Sequence, residues 1–526
     1  MPNNIRKLPI GVQSFEKMRE GNFIYVDKTA YINKLIHTGG QYFLSRPRRF
    51  GKSLFLSTLK AYWEGKRELF EGLEIEEMEK DNKDAFSPYP VFYFDFNGQN
   101  YQTDTALEDI INEHLTKWEE IYGGDNRFSL SGRFKNLLIA AKEKTGKGCV
   151  VLVDEYDKSL LESMENESLL EHNKAVFKGF FGTLKSYDEY LRFVFITGVT
   201  KFSKVSVFSD LNQLNDISLD EEFNGICGIT EGELKGSFSP EIENLAKKLS
   251  ISNEECLLKL KKMYDGYHFC PNSEGIYNPF SLLNAFQKKN MDAYWFATGT
   301  PTFLVRRIKN MNFDVRQLEN NEVFANQSFI MDYRTDNPSI VPILYQTGYL
   351  TITDYIDEDK LYVLGFPNEE VKFGFLNSLL PEYTPNAIFG NGNDIFALRH
   401  RIKEGDTEKI RDILTSLFAS IPYTTNDAPF EHYFQSIIYI VFTLLGQYAK
   451  CEIHSAKGRA DCILETNKFV YIFEFKVDKS AKEALEQIEE KGYALPFKAD
   501  ERKIFKIGVN FDSKERLLND WALEEG

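Results

Sequence analysis

Short apolar runs alternate with helix-period segments over roughly the first two hundred residues, the pattern of a parallel sheet threaded by helices. The strand candidates are Gln41–Leu44 (QYFL), Val91–Phe96 (VFYFDF), Cys149–Asp154 (CVVLVD) and Arg192–Gly198 (RFVFITG). Each is a nearly continuous apolar run, as strands covered on both faces require. LFLSTLKAYWEG, after Ser53, reads as the helix following the first strand, stopped at Gly65. From Leu219 to Asn310 the pattern turns mostly helical, with loop punctuation at YDGYHFCPNSEGIYNPFS. LYQTGYLTITDY and LYVLGFP predict a small β unit near 344–367. Helical period returns from Asn368 to Phe418, and IPYTTNDAPFEH (Ile421–His432) reads as a linker. The final segment predicts a helix (Glu431–Tyr448), strands at Cys451–His454, Arg459–Leu464 and Val470–Lys476, a helix (Ser480–Tyr493) and a strand (Ile504–Val509). The chain therefore reads as α/β in three parts: 1–218, a mostly helical 219–420, and 421–526.

Composition narrows the class. At 526 residues the chain can bury two or three cores, and 42% hydrophobic with 27% charged residues is ordinary for a soluble globular protein. No apolar run reaches bilayer length, and MPNNIRKLPIGVQSF lacks the apolar core of a signal peptide. Six scattered cysteines without a C-x-x-C pair point to a reduced, cytoplasmic protein with no membrane partner. A net charge of −16 argues against indiscriminate polyanion binding. It leaves nucleic acid open, because local patches decide contact and divalent metals offset acidic sites.

The chemistry begins at FLSRPRRFGKSLF. A phosphate loop normally reads G-x-x-x-x-G-K-[ST], and Arg46 stands where its first glycine belongs. A strand, a tight turn and a helix N-terminus would still aim backbone N–H groups and the helix dipole at one spot. Gly51, Lys52 and Ser53 would then form the loop, with Lys52 on the terminal phosphates and Ser53 on Mg²⁺. Pro47 restricts the turn by other means, and Arg46, Arg48 and Arg49 are candidate phosphate-directed charges. VVLVDEYD places Asp154 and Glu155 at the end of a strand expected to neighbour the loop strand. The first carboxylate suits a metal shell, and the second suits polarising a water. Thr197, closing the next strand, is a candidate γ-phosphate sensor, and Lys201 or Lys204 could add charge. The altered loop bears on hydrolysis more than on binding.

A second constellation lies in GRADCILETNKFVYIFEFK. Strand alternation puts Glu474 and Lys476 on one face and turns Phe475 into the core. If this strand and the preceding one form a hairpin, Asp461 lies across from them. Two carboxylates could then hold Mg²⁺ or Mn²⁺, with Lys476 steadying developing phosphorane charge. Glu431, on the preceding helix, and Gln487 with Tyr493, on the following one, stand where helpers could act.

Many separate words then recur in order. LPIGVQSFEKMREGNFIYVDKT, SRPRRFGKSLFLSTLKAYWEGKRELFEGL, VDEYDKSLL and TGVTKFSKVSVFSDLNQLNDIS resemble the AAA-ATPase-like family common in anaerobic gut bacteria. GRADCI…IFEFK…LEQIEEKGYA resembles the PD-(D/E)XK nuclease-like domain fused to that family. The resemblance implies a P-loop ATPase module followed by a restriction-endonuclease-like α/β domain, with ATP and Mg²⁺ as cofactors and nucleic acid, DNA first, as partner. It assigns the phosphate loop to Gly51, Lys52 and Ser53, the metal and water carboxylates to Asp154 and Glu155, and the nuclease triad to Asp461, Glu474 and Lys476. Gln487 and Tyr493 stand as a Q-x-x-x-Y-like pair, spaced here as Q-x-x-x-x-x-Y. The family shares the arginine at position 46. Such fusions suit defence or mobile-element processing. AAA-type chains often work as homo-oligomers with an arginine supplied by a neighbour, and no arginine of this sequence stands out for that part. The alternative reading is an ATP-dependent sensor or scaffold that binds nucleic acid or a partner without cutting.

Overall fold

The computed structural model describes residues 6–202, 213–296, 304–305, 307–308, 311, 313–318, 322–331, 339–383, 393–419, 430–446, 450–451, 462–515 and 517–525. They divide into two compact units, Met1–Thr298 with Asn320–Val371, and Gly299–Glu319 with Lys372–Gly526.

The first unit is built on β1 (Gln41–Ser45), β2 (Val91–Asp95), β3 (Cys149–Asp154), β4 (Leu191–Gly198) and a short β5 (Asn215–Asp216). All pairings are parallel, in the order β2-β3-β4-β1-β5. Every residue of β3 is buried, which explains its unbroken apolar run. The order corrects one expectation: β3 is not the neighbour of β1, because β4 lies between them. Leu44 therefore pairs with Thr197, and Val153 with Ile196, so Thr197 stands between the loop strand and the acidic strand end. Helix Lys52–Trp63 follows β1 and buries Phe55, Leu56, Leu59 and Trp63. A small antiparallel sheet, β6 (Val323–Ala325), β7 (Thr351–Ile356) and β8 (Leu361–Gly365), runs in the order β6-β8-β7. LYQT, expected within the β unit, instead ends the buried helix Val341–Thr347.

The second unit carries β9 (Lys450–Cys451), β10 (Cys462–Glu465), β11 (Phe469–Val477), β12 (Lys503–Asp512) and β13 (Leu517–Glu525) in the order β13-β12-β11-β10-β9. Only β11 and β12 pair in parallel, giving a mixed sheet. Helix Phe430–Gly446 packs Phe442 on Phe473 and Phe475, and helix Ala481–Lys491 buries Ala484 and Ile488 over the other face of β11. β13 was not legible in the chain: LLNDWALEE is a sheet-edge strand whose apolar alternation is diluted by acids. No helix among the described residues is long and apolar enough to cross a membrane.

Candidate functional site

The phosphate loop runs from Arg46 to Ser53 between β1 and helix Lys52–Trp63. Its left-handed residues are Arg49 (φ 69°) and Gly51 (φ 95°); position 46 is not one of them. Gly51 is thus the glycine the turn requires, and a glycine at 46 is dispensable. The loop carbonyls are engaged by the protein. Lys52 Nζ donates to Arg46 O (2.9 Å) and Pro47 O (3.1 Å), the Trp295 indole to Arg48 O (3.2 Å), and Gly228 N to Phe50 O (2.9 Å). By contrast, the N–H groups of Arg49, Phe50, Gly51, Lys52 and Ser53 meet no acceptor among the described residues. Consecutive N–H groups left unanswered at a helix N-terminus form an anion cradle, which suits a nucleotide's phosphates.

Arg46 does not join that cradle, contrary to the expectation for its charge. Its guanidinium is 1% exposed and donates to Ser45 O (2.9 Å), Ser218 O (2.8 Å) and Phe223 O (3.1 Å). It also lies 4.0 Å over the Phe269 ring. The side chain is a strut beneath the loop, and burial lowers its pKa. Lys201 is likewise diverted, into an ion pair with Asp216. Lys204 lies outside the described residues.

The acidic side is tightly organised. Thr197 Oγ1 donates to Asp154 Oδ1 (3.0 Å) and Val153 O (3.3 Å). Burial pushes the Asp154 carboxyl up, the Ser53 hydroxyl pulls it down, Glu155 raises it, and Lys52 and Thr197 lower it. Ser53 and Asp154, the two oxygen donors expected of a Mg²⁺ shell, are therefore within mutual influence. Glu155 adopts a left-handed backbone (φ 49°), rare for a residue with a side chain and most often met at functional turns. Asp157 clamps the chain after β4, accepting from Val199 N (3.1 Å), Thr200 N (2.6 Å) and Thr200 Oγ1 (2.6 Å). Tyr156 completes that clamp by donating to Thr200 O (3.0 Å) and accepting from Phe202 N (3.0 Å).

Loop residues 48–53, Glu155 and Asp157 line a cavity of about 430 Å³ whose opposite wall is apolar, with Ile10, Val26, Ile229, Phe238, Phe280 and Leu283. That volume is within the range of small-molecule sites. Sequence reasoning missed the wall and Asp157. The wall is drawn from segments more than two hundred residues apart, and the only signal for Asp157 was its place three residues after Asp154.

In the second unit, Glu474 and Lys476 share a face of β11, and Phe475 points the other way, stacked on Phe473 (5.9 Å). Glu474 is 2% exposed. Lys476 Nζ bonds Glu474 Oε1 (2.8 Å) and Gln487 Oε1 (2.6 Å), and Gln487 Nε2 donates to Glu474 Oε1, closing a ring of three side chains. Gln487 reaches it because helix Ala481–Lys491 approaches β12 at Gly508, where a Cβ would sit 2.1 Å from Ala481 O. Asp520 of the unforeseen β13 accepts from Ala481 N (2.9 Å) and so holds that helix start. β10 and β11 do form the expected hairpin, with Cys462 opposite Phe473. Asp461 itself lies outside the described residues. The side chain of Glu431 does too, although its backbone is on helix Phe430–Gly446. Tyr493 is not on the expected helix, which ends at Lys491. Past Gly492, its ring is buried with Ile463, Val470, Ile472 and Ile488. No cluster of three or more His, Cys, Asp or Glu poised for a metal occurs among the described residues. The hard oxygen of Glu474 beside an ammonium nonetheless fits a divalent ion and a phosphodiester.

A parallel sheet with a phosphate loop after an inner strand, joined in one chain to a mixed sheet carrying E-x-K, defines a P-loop NTPase fused to a nuclease-like module. The comparisons agree: residues 9–208 match the predicted AAA-ATPase family (AAA-ATPase-like), and residues 429–521 match the PD-(D/E)XK nuclease superfamily. The chain belongs to this AAA-ATPase-like family with a PD-(D/E)XK nuclease domain. An Azotobacter chroococcum mcd 1 relative, described as an uncharacterized protein in the vnfD 5′ region, is 36% identical over 535 residues, covering 99% of each chain. No solved structure matches the chain.

Proposed function

We propose that the chain binds and hydrolyses ATP in its first unit and uses its second to cleave phosphodiester bonds of nucleic acid, DNA first, with a divalent metal. The observation that carries the reading is the Glu474–Lys476–Gln487 ring, a buried carboxylate held against an ammonium on one face of the E-x-K strand. Such a group is costly to bury and suits chemistry better than packing. Glu474, with Asp461, would hold Mg²⁺ or Mn²⁺, which supplies Lewis acidity and an activated water. Lys476 Nζ would stand beside the scissile phosphate and balance charge on the non-bridging oxygens. Gln487 fixes that ammonium by accepting from it. In the first unit, the loop N–H groups and Lys52 bind the phosphates, Ser53 and Asp154 hold Mg²⁺, Glu155 orients the water, and Thr197 reports on the γ-phosphate through Asp154. Defence or mobile-element processing is the setting this pairing of activities suits.

The test is cleavage of a panel of labelled linear, circular and single-stranded DNA and RNA, with Mg²⁺ or Mn²⁺, with and without ATP. Metal-dependent cutting by the wild type that disappears in Glu474→Ala, with ATP binding retained, is the expected result. No cutting of any substrate by protein that binds ATP would replace this reading with that of a nucleotide-dependent scaffold.

A further inference from the structure

The cavity beside the phosphate loop carries positive charge that the protein does not use for itself. Lys28 is held by Glu233 (2.6 Å) and the Gly225 carbonyl (2.7 Å), and Lys52 by its loop carbonyls. Arg48 and Arg49 differ. Both are exposed and line the cavity, and neither guanidinium has an ion pair or hydrogen bond among the described residues. This holds in a chain with 79 acidic against 63 basic residues, where carboxylates are plentiful. Their backbone, meanwhile, is fixed. The Trp295 indole grips Arg48 O, and Arg49 takes a left-handed backbone that strains any side chain, its guanidinium 5.1 Å from the centre of the Phe280 ring. Two planar cations on one loop, with no carboxylate bonded to either among the described residues although Glu155, Asp157 and Glu162 line the same cavity, are free to meet an anion.

We propose that Arg48 and Arg49 are arginine fingers supplied in cis, stabilising the transferring γ-phosphoryl group so that each chain turns over ATP without an arginine from a second copy. This rests on the ATP reading above. In the step, the water oxygen bonds to the γ-phosphorus while the bond from that phosphorus to the β–γ bridging oxygen breaks, its electron pair leaving on ADP. The water's proton passes to the Glu155 carboxylate and then to inorganic phosphate. Charge grows on the bridging and equatorial oxygens, where a guanidinium offers two parallel N–H donors. Lys158, a further cation of the cavity wall, presents a point charge and lacks that fork.

The test uses the full chain. Hydrolysis per chain is measured over a wide range of protein concentration, for the wild type, for Arg48→Ala/Arg49→Ala, and for Arg48→Lys/Arg49→Lys in case the alanine pair misfolds. Each is also mixed with Lys52→Ala, and affinities for ATP and for ADP with aluminium fluoride are measured by fluorescence. We expect wild-type turnover per chain to be independent of concentration. Turnover should fall by roughly 10³-fold in both double variants, the order an arginine finger is worth. ATP affinity should change only a few-fold, the extra affinity for the aluminium fluoride complex should vanish, and mixing with Lys52→Ala should restore nothing. Restoration on mixing, or turnover per chain that rises with concentration, would overturn the proposal in favour of a finger from a neighbour. Unchanged turnover in the double variants overturns the proposal alone, whereas wild type that binds ATP without hydrolysing it overturns the hydrolysis reading together with it. Failure of the wild type to bind ATP removes the underlying reading as well.

Discussion

Restoring the missing glycine should damage this protein. In Arg46→Gly the usual loop motif is recreated, yet the side chain removed is a buried strut with bonds to Ser45 O, Ser218 O and Phe223 O and a stacked Phe269 ring at 4.0 Å. Hydrogen bonds from a charged donor contribute about 1.5 kcal/mol each at the low end, so three contribute about 4–5 kcal/mol. The desolvated cation–π contact adds about 2 kcal/mol. Relief from burying a guanidinium returns several kcal/mol. Against that relief stand the three carbonyls that lose this donor and a side-chain-sized void. The net expected loss is about 3–4 kcal/mol. In urea titrations followed by tryptophan fluorescence, the first unit's midpoint should fall by on the order of 1 M. Arg46→Lys should recover only part of this, because an ammonium cannot serve three carbonyls and a ring face together. ATP affinity should drop with the stability, since the strut sits directly under the cradle. An Arg46→Gly protein as stable as the wild type, binding ATP as well or better, would refute the reasoning and make Arg46 a tolerated defect.

Two further outcomes follow from packing and burial. Gly508→Ala should push helix Ala481–Lys491 off β12, because its Cβ would lie 2.1 Å from Ala481 O and 3.1 Å from Ala484 Cβ. A loss of about 1–3 kcal/mol in the second unit's denaturation, with slower cleavage as Gln487 leaves Glu474, is expected; unchanged stability and rate would show that the helix can yield. Glu370, 1% exposed and accepting from Trp295 N (2.7 Å) and Ser281 Oγ (2.9 Å), has its carboxyl pushed by burial to about 7 from an ordinary 4.5. Its contribution is full below pH 4.5, where folded and unfolded chains both hold the proton. It is lost as pH rises towards 7, because the unfolded chain releases a proton that the folded chain keeps. Glu370→Gln should therefore gain on the wild type by up to about 3 kcal/mol between those pH values, read as a difference in denaturation midpoint; a constant difference across them would contradict it.

Local chemistry along the chain was enough to determine much of this protein. Continuous apolar runs marked β1 to β4 because strands covered on both faces have no polar side to reveal. G-K-S after a strand and before a helix marked the turn with unanswered N–H groups, since their direction at a helix start is a property of the backbone. Strand alternation placed Glu474 and Lys476 together, because a period of two is independent of what the strand pairs with. Tertiary structure decided what depends on distant partners. It inserted β4, and with it Thr197, between the loop strand β1 and the acidic strand β3, an order that strand-to-strand hydrogen bonding sets and no single segment encodes. It turned Arg46 downwards to carbonyls some 172 and 177 residues away, when a local reading sees only a basic residue in a basic loop. It built the cavity's apolar wall from segments more than two hundred residues apart, and it brought Gln487 onto Lys476 through a close helix–strand approach that only Gly508 permits. Residue type and spacing announce which chemistry is available. Which of those groups are bound into the fold, as Arg46 and Lys201 are, and which are left exposed, as Arg48 and Arg49 are, is settled only where the packed chain brings a carbonyl or a carboxylate within reach.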